Sequence, residues 1–313
     1  MQAYPLVTVV GGSGFVGRHV VKRLAQDGWR VRVLVRDTIA AEFLKPLGNP
    51  GQIAVEHADI TRPATLHGKF VGSDAVVSLV SILYEKGWQR FDAINIAGAK
   101  AVANEARRAG ATRLVHVSAL GVERASDTRY GRTKLAGELA VREAFPGATF
   151  LRPSLIIGPE DGFFQRFARM QLLSPFLPLI GGGKTRFQPV LVTDVALAVA
   201  RALKRPGSAG KTYELAGPKT YRMRELLRLM GTITHRPTRF LPIPRPIAQV
   251  MGLACEIKAR LLPLKPMITR DQVALLRHDN VASASAAGFS ALGIEPQPIE
   301  SKLPQFLARF IRG

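Results

Sequence analysis

The fold is decided by the stretch Leu6-Val7-Thr8-Val9-Val10-Gly11-Gly12-Ser13-Gly14-Phe15-Val16-Gly17-Arg18-His19-Val20-Val21. A β-branched apolar run predicts a buried strand, and helical spacing after the glycines predicts a helix. Glycines at such a corner let a pyrophosphate reach backbone N–H groups at the positive end of the helix dipole, where a Cβ would obstruct it. We therefore predict a dinucleotide-binding turn rather than an ordinary strand–turn–helix corner.

Two glycine registers fit this turn. Spacing by three selects Gly11, Gly14 and Gly17, whereas the commoner fingerprint selects Gly12, Gly14 and Gly17. The helical spacing predicts a single buried side formed by Phe15, Val16, Val20 and Leu24. The predicted cofactor contacts in this stretch are Gly11, Ser13, Gly14, Phe15, Val16 and Gly17.

The composition indicates a large core and an anionic partner. The chain has 313 residues, of which 47% are hydrophobic, and its single cysteine excludes an internal disulfide framework. Its formal net charge is +21 and its pI is about 11.0. One phosphate-bearing cofactor cannot account for that excess, so lipid headgroups, nucleic acid or an acidic protein face are candidate partners.

Several classes of protein are not expected. No apolar run is long enough to span a bilayer, and the first strand begins at Leu6, which leaves no room for a signal or transit peptide. The six histidines are scattered without metal-ligand spacing, so we predict no metal. Basic residues occur in both halves without a recognition motif, so we expect no nucleic-acid partner.

The middle of the chain alternates strands with helices. Strands are predicted at 29–35, 52–56, 74–80, 113–118 and 148–152, and helices at 38–47, 89–109 and 127–145. This alternation predicts an α/β fold with a Rossmann-type, doubly wound parallel sheet and a smaller, irregular C-terminal lobe. We predict a dinucleotide-binding domain over residues 1–205, with 156–187 contributing to the second lobe, and a basic docking lobe over 206–313.

The strand ends carry the remaining predicted cofactor contacts. Arg36 follows the second strand, where a guanidinium favours a 2′-phosphate, so NADP(H) is favoured over NAD(H). A shift of one residue would put Asp37 there and reverse this preference. Asp59 stands where a carboxylate can meet an adenine amino group. The other predicted contacts are Ile60, Leu79, Val80 and Pro153.

Tyr130 and Lys134 are four residues apart and so share one helix face. An ammonium one turn away favours the phenolate, lowers the tyrosine pKa and can also reach the ribose hydroxyls. Together with the glycine turn, this pair resembles the extended or atypical branch of the short-chain dehydrogenase/reductase superfamily, over about residues 6 to 200. The resemblance implies that Tyr130 and Lys134 contact the cofactor and act in catalysis.

One position departs from the active members of that superfamily. They follow the fifth strand with a hydroxyl cluster, to which Val117-Ser118-Ala119-Leu120-Gly121 corresponds here. Ser118 matches the start of the cluster, while Leu120 falls where the carbonyl-polarising hydroxyl belongs. Losing such a donor costs about 10²–10³ in rate. A shifted register in which Ser118 serves stays open, so catalysis by Tyr130, Lys134 and Ser118 is expected to be vestigial or slow.

A second resemblance extends nearly end to end. It rests on the glycine turn with Arg18, His116–Leu120, Tyr130–Glu138, Phe145-Pro146, Gln188–Val195 and Met267–Asp271. The chain resembles the NADPH-containing accessory subunit of respiratory complex I (the alpha-subcomplex subunit nine family), as a bacterial relative. That family implies a tightly held structural nucleotide and a place near the membrane, on the peripheral arm or in its assembly intermediates. For a bacterial relative we therefore expect peripheral attachment to the cytoplasmic face of the inner membrane.

The last third interleaves basic and bulky apolar residues and is broken by prolines, Pro263 among them. A stripe with helical spacing runs through Ile247, Val250, Met251, Ala254, Ile257 and Leu261. It suits either a helix packed on its own domain or a helix docked at an anionic membrane surface.

The sequence as a whole leaves three candidate functions. They are a complex I accessory or assembly protein without turnover, an active NADP-dependent reductase, dehydrogenase or epimerase, and a redox sensor.

Overall fold

The computed structural model describes residues 5–262 and 265–312, so Pro263 and Leu264 lie outside the described residues. The strands are β1 (Leu6–Val10), β2 (Arg30–Val35), β3 (Ile53–His57), β4 (Ala75–Ser78), β5 (Arg113–Val117), β6 (Thr149–Pro153), β7 (Ile156–Ile157), β8 (Phe176–Ile180), β9 (Arg186–Phe187), β10 (Val190–Leu191), β11 (Thr212–Leu215), β12 (Tyr221–Arg222) and β13 (Arg239–Ile243). Seven of them form a parallel sheet in the order β11-β6-β5-β4-β1-β2-β3.

Helices cover both faces of this sheet. They are α1 (Phe15–Gln26), α2 (Ala99–Arg108), α3 (Arg129–Ala144), α4 (Phe164–Leu173), α5 (Val192–Lys204), α6 (Met223–Ile233), α7 (Arg245–Leu261), α8 (Arg270–Leu275) and α9 (Leu303–Leu307). One apolar core joins the sheet to α1 and α5, and a second joins its other face to α2 and α3. The predicted Rossmann-type, doubly wound fold is confirmed.

Strand β1 shows why the apolar run forms the centre of the sheet. Val7 and Val9 point into the core beside α1, while Val10 points into the core on the opposite face. Thr8 is buried as well, and its hydroxyl lies 2.6 Å from that of Ser73. A strand buried on both faces needs such a continuous apolar run, and its one polar side chain needs a partner.

The predicted helix over 89–109 is helical from Phe91 onward, but most of its first half is not α-helical. Asp92–Gly98 forms a π-helical segment, and regular α-helix begins only at Ala99. A Cβ on Gly137 of α3 would lie 1.9 Å from the carbonyl oxygen of Asn95, so the two backbones are in direct contact. This close packing was not readable from the apolar spacing. Strand β10 is only two residues long, Val190–Leu191, and pairs in parallel with β7.

The C-terminal lobe has its own apolar core, formed by α4, α6, α9 and the strand pair β8–β13. The predicted boundary at residue 205 stays a prediction. The seventh sheet strand, β11, follows that residue, and Phe289, Leu292 and Ile294 pack into the core beneath the sheet. Segments of the predicted 206–313 lobe therefore pair with the sheet or pack against it. Among the helices that the structure describes, none is both long and apolar enough to cross a membrane.

Candidate functional site

The glycine turn forms one wall of a cavity of about 220 Å³. Gly11, Ser13 and Gly14 line it. Gly11 has φ 84°, a conformation that favours glycine, and its carbonyl accepts a hydrogen bond from Gly14 N at 3.3 Å. Gly14 is the N-cap of α1, so the free N–H groups of the first helical turn face this region. The turn therefore has the geometry that a pyrophosphate requires.

The other two glycines serve packing. A Cβ on Gly12 would lie 2.5 Å from Cγ1 of Val33, and one on Gly17 would lie 2.4 Å from the carbonyl oxygen of Gly11. Neither lines the cavity. Of the predicted buried side of α1, Val20 and Leu24 are fully buried, whereas Phe15 and Val16 are half-buried and lie outside the cavity lining.

The residue that follows the second strand lines the same cavity. Strand β2 ends at Val35, and Arg36 lines the cavity with its guanidinium 5.3 Å from the ring centroid of Trp88. Asp37 does not line it, because its carboxylate accepts the backbone N–H of Ala40 at 2.9 Å. Arg36, rather than Asp37, is therefore the charged residue available to a ribose substituent.

The opposite wall carries four more of the predicted contacts, namely Asp59, Ile60, Leu79 and Val80. Asp59 is buried, and its Oδ1 accepts hydrogen bonds from both the backbone N–H and the hydroxyl of Thr61, at 2.9 and 2.7 Å. These bonds fix the carboxylate at the cavity wall. Pro153 lies outside the lining, at the end of β6, where its carbonyl accepts the N–H of Leu120.

Helix α3 brings the predicted catalytic pair next to the end of β5. Thr128 caps the helix by accepting the N–H of Gly131, and Tyr130 and Lys134 follow on one face. Lys134 is buried and donates to the carbonyl of Val117 at 3.2 Å, one residue before Ser118. Burial lowers the pKa of Lys134 to about 8, against the opposing effect of Glu138.

The expectation that Lys134 lowers the tyrosine pKa is wrong for this structure. Burial raises the pKa of Tyr130 to about 12, and its hydrogen bond with Ser81 only partly opposes this effect. The ammonium of Lys134 is engaged with a backbone carbonyl. At neutral pH the phenolate is therefore scarce, whereas an efficient general base has a pKa near the working pH.

Leu120 is buried, with 4% of its surface exposed. Its backbone is held at both ends, because its N–H donates to Pro153 and its carbonyl accepts from the side chain of Asn280 at 2.9 Å. No hydroxyl therefore stands at this position. Ser118 is buried too, and its Oγ lacks a hydrogen-bond partner among the described residues, as does Nδ1 of His116.

Sequence reasoning missed several residues in and around the site, among them Ser81, Trp88, Asn95 and Asp271. Ser81 and Trp88 line the cavity, and Ser81 donates to the side chain of Asn95 at 3.3 Å. Asn95 in turn donates to Thr133 on α3 at 3.2 Å. Asp271 accepts the N–H groups of Arg129 and Tyr130 at 2.7 and 2.9 Å and so caps α3. The capping box that starts at Thr269 predicts a helix start, but no local pattern indicates that Asp271 contacts the start of α3.

The residues present fit a dinucleotide. An anion-binding turn, a guanidinium and a fixed carboxylate surround one cavity and suit the phosphate and adenosine groups of such a cofactor. The unpartnered Ser118 Oγ is buried outside this lining. Such a cofactor would supply hydride chemistry at its nicotinamide. Within residues 5–262 and 265–312, no group of three or more His, Cys, Asp or Glu side chains could hold a metal ion.

Comparison with known proteins agrees with this geometry. The family model described as "NAD dependent epimerase/dehydratase family" matches residues 7–216. A mitochondrial NADH dehydrogenase (ubiquinone) 1 alpha subcomplex subunit 9 from Arabidopsis thaliana is 34% identical, and the match covers 98% of this chain and 78% of that protein. A ceramide reductase from Caulobacter vibrioides is 33% identical over 78% of this chain and 75% of its own length.

Solved structures show the same fold. The triphenylmethane reductase of Citrobacter sp., complexed with NADP(H), superposes with a TM-score of 0.74 over 96% of this chain and 99% of that chain, at 20% sequence identity. The matched family model extends from β1 to the residue after β11, so it includes the glycine turn, Arg36 and the Tyr130–Lys134 pair. The chain therefore belongs to the NAD dependent epimerase/dehydratase family, and its relatives include the alpha subcomplex subunit 9 of respiratory complex I.

Proposed function

We propose that this protein is an NADP(H)-holding accessory or assembly protein of respiratory complex I, attached peripherally to the membrane and without turnover of its own. One combination carries the proposal. The chain has a cavity suited to a dinucleotide, and 98% of this chain matches the Arabidopsis subunit. However, Leu120 occupies the position of the carbonyl-polarising hydroxyl. A nucleotide in such a site stabilises the fold rather than reacting.

The partner is best identified by capture. A tagged chain, expressed in its native host, would be purified from gently solubilised membranes, and its co-purifying proteins and extracted nucleotide would be analysed. We expect subunits of the peripheral arm or of its assembly intermediates, together with NADP(H) at close to one per chain. Recovery of the chain alone, without nucleotide, would contradict both parts of the proposal.

Absence of turnover is the first prediction. Purified protein with NADPH and a panel of aldehydes, ketones, quinones and nucleotide-sugars should oxidise NADPH at least about 10³-fold more slowly than the enzymatic median of about 10 s⁻¹. The reason is that Leu120 offers no hydroxyl and the pKa of Tyr130 is raised. Leu120→Ser should increase any residual rate.

Two tyrosine variants show whether any measured NADPH oxidation depends on Tyr130. Tyr130→Phe removes the candidate catalytic hydroxyl, whereas Tyr221→Phe removes a hydroxyl that hydrogen bonds to Glu300 in the other lobe. A wild-type kcat near the median that Tyr130→Phe abolishes and Tyr221→Phe leaves intact would overturn the non-catalytic proposal.

Membrane attachment is supported by the surface of α7. Among its residues only Ala248 and Gly252 are buried, and a Cβ on Gly252 would lie 2.8 Å from the backbone N of Arg270, so the helix packs through its small residues. The apolar stripe faces outward: Val250 is 67% exposed and Leu261 79% exposed. Large exposed apolar surfaces mark interaction sites, and basic flanks favour an anionic bilayer.

Salt-sensitive binding to anionic vesicles is the second prediction. Wild-type protein should co-sediment with vesicles that contain anionic lipid at low ionic strength, and less so at high ionic strength, because exposed charges are screened. An Arg239→Gln, Arg245→Gln, Arg260→Gln variant should bind more weakly, since each cation near the surface contributes about 1 kcal/mol. Arg236 is retained, because it donates to the carbonyl of Phe310 inside the lobe.

A matched variant tests whether location matters rather than total charge. Arg62→Gln, Arg201→Gln, Arg205→Gln removes three exposed guanidinium groups from the sheet domain. It should sediment like the wild type. If both triple variants and the wild type sediment alike under all conditions, the basic C-terminal lobe is only a solvated surface and the membrane attachment fails.

An active NADP-dependent reductase is the second candidate function. The favouring observation is Ser118, whose buried Oγ lacks a partner among the described residues and lies next to the carbonyl that holds Lys134. It could polarise a carbonyl in place of the missing hydroxyl. The same assay tests this candidate: turnover that depends on Tyr130 and is lost in Ser118→Ala would support it.

A further inference from the structure

A second cavity, of about 260 Å³, lies within the C-terminal lobe and shares no lining residue with the dinucleotide cavity. Its walls come from α4, from α7 and from the segment around α8. Aromatic rings and flexible thioethers predominate among the side chains: Phe163, Phe167, Phe187, Met170, Met223 and Met251. Gln272 is a polar side chain of the lining, and its Oε1 is already bonded to the N–H of Thr269.

The size and chemistry of this cavity limit what it can hold. At ~30 Å³ per water molecule, 260 Å³ corresponds to about eight or nine waters, which apolar walls hydrogen-bond poorly and which a hydrocarbon can replace. Its volume is below the range of about 300–1,000 Å³ typical of drug-sized ligands, and its predominantly apolar lining does not suit the phosphates of a nucleotide. A single hydrocarbon chain fits, and methionines adapt their shape to it.

The mouth of the cavity combines an opening with a positive charge. Met251 and Met267 line the cavity and are also 43% and 62% exposed, so it reaches solvent beside them. Arg166 lines the same cavity, and its Nη1 donates to the carbonyl of Met267 at 2.8 Å. No carboxylate of the described residues pairs with this guanidinium. An anionic head group at the mouth would therefore meet an unneutralised cation.

We propose that this cavity binds the chain of a single-chain anionic amphiphile, such as a fatty acid, with Arg166 holding the carboxylate. The chain enters between Met251 and Met267, and its end lies among Phe163, Phe167 and Phe187. This site is separate from the dinucleotide cavity and does not require the membrane attachment proposed above, since it takes one chain out of solution.

Calorimetry with dodecanoate below its micelle threshold tests the site, with NADPH present throughout to occupy the dinucleotide cavity and no vesicles added. We expect saturable binding of one dodecanoate per chain. Hexanoate, with a shorter chain, and dodecyltrimethylammonium, with the opposite charge, should each bind at least about tenfold more weakly. Absence of saturable dodecanoate binding would overturn the proposal while leaving the vesicle experiment unaffected.

Two pairs of variants locate the ligand. Arg166→Gln should weaken dodecanoate about tenfold, as expected for one charge-assisted hydrogen bond, whereas Arg169→Gln, on an exposed position of the same helix, should not. Met251→Trp should block the mouth, whereas Val250→Trp, at an exposed neighbour outside the lining, should leave affinity unchanged. Equal effects within either pair would show that dodecanoate binds elsewhere and would overturn the proposal.

Discussion

Arg36→Asp should reverse the nucleotide preference of this protein from NADPH to NADH. Arg36 lines the cavity at the end of β2, so its guanidinium is placed to pair with a 2′-phosphate. Losing a charge-assisted hydrogen bond costs about 1.5–3 kcal/mol, or about 10- to 100-fold in affinity, and an aspartate adds repulsion toward phosphate. The same carboxylate can accept a hydrogen bond from a free 2′-hydroxyl. Calorimetry with both nucleotides measures the two affinities.

The neighbouring residue provides the control. Asp37→Asn changes charge by one unit at the next position, but the Asp37 carboxylate is turned toward the N–H of Ala40 and does not line the cavity. It should leave the ratio of the two affinities unchanged. Equal affinities of the wild type for NADPH and NADH, or a reversal by Asp37→Asn instead, would refute the assignment of Arg36.

Gly17→Ala should destabilise the whole domain, by about 3 kcal/mol or more. Helix propensity alone would favour alanine by about 1 kcal/mol. However, the new Cβ would lie 2.4 Å from the carbonyl oxygen of Gly11 and 2.6 Å from two backbone atoms of Gly12. Backbone cannot move aside as a side chain can, so this overpacking exceeds the usual cost of about 1–3 kcal/mol. Urea unfolding without nucleotide measures the loss.

Gly14→Ala is the matched substitution three residues earlier. Its Cβ would have only Gly11 O within 4 Å, at 3.5 Å, and its φ of −71° suits alanine. Stability should change by less than about 1 kcal/mol, the scale of an N-cap substitution. Because Gly14 lines the cavity, nucleotide affinity should fall instead. If both variants lose the same stability, the two glycines do not divide packing and binding between them.

Residues near in sequence to the glycine turn were the most predictable. Strand β1, helix α1 and the cavity contacts of Gly11, Ser13 and Gly14 all follow from local spacing, because period and turn chemistry act over a few residues. Arg36 could be predicted as well, since the end of a strand is readable to within one residue. Whether Arg36 or Asp37 enters the cavity could not, because a shift of one residue turns each side chain to the other face.

Contacts between residues far apart in the chain could not be predicted from the sequence. Ser81 reaches the phenol of Tyr130 and the amide of Asn95, and Asp271 caps α3 from the other lobe. These partners are brought together only when the chain is folded, so no local periodicity encodes them. The tyrosine pKa was misjudged for the same reason: the burial that raises it is a property of the assembled lobe interface and not of the Tyr-x-x-x-Lys spacing.

The Rossmann-type sheet, the glycine turn and the family could be predicted without a structure, because each depends on residues close together in the chain or on similarity along it. Which face of α7 is exposed became known only from the folded chain. The apolar stripe is equally compatible with a buried and with an exposed position. In the structure α8 packs against the side of α7 that carries the small residues Ala248 and Gly252, so the apolar stripe stays exposed. The pattern of α7 alone could not show this, because the contact depends on where α8 lies in the folded chain.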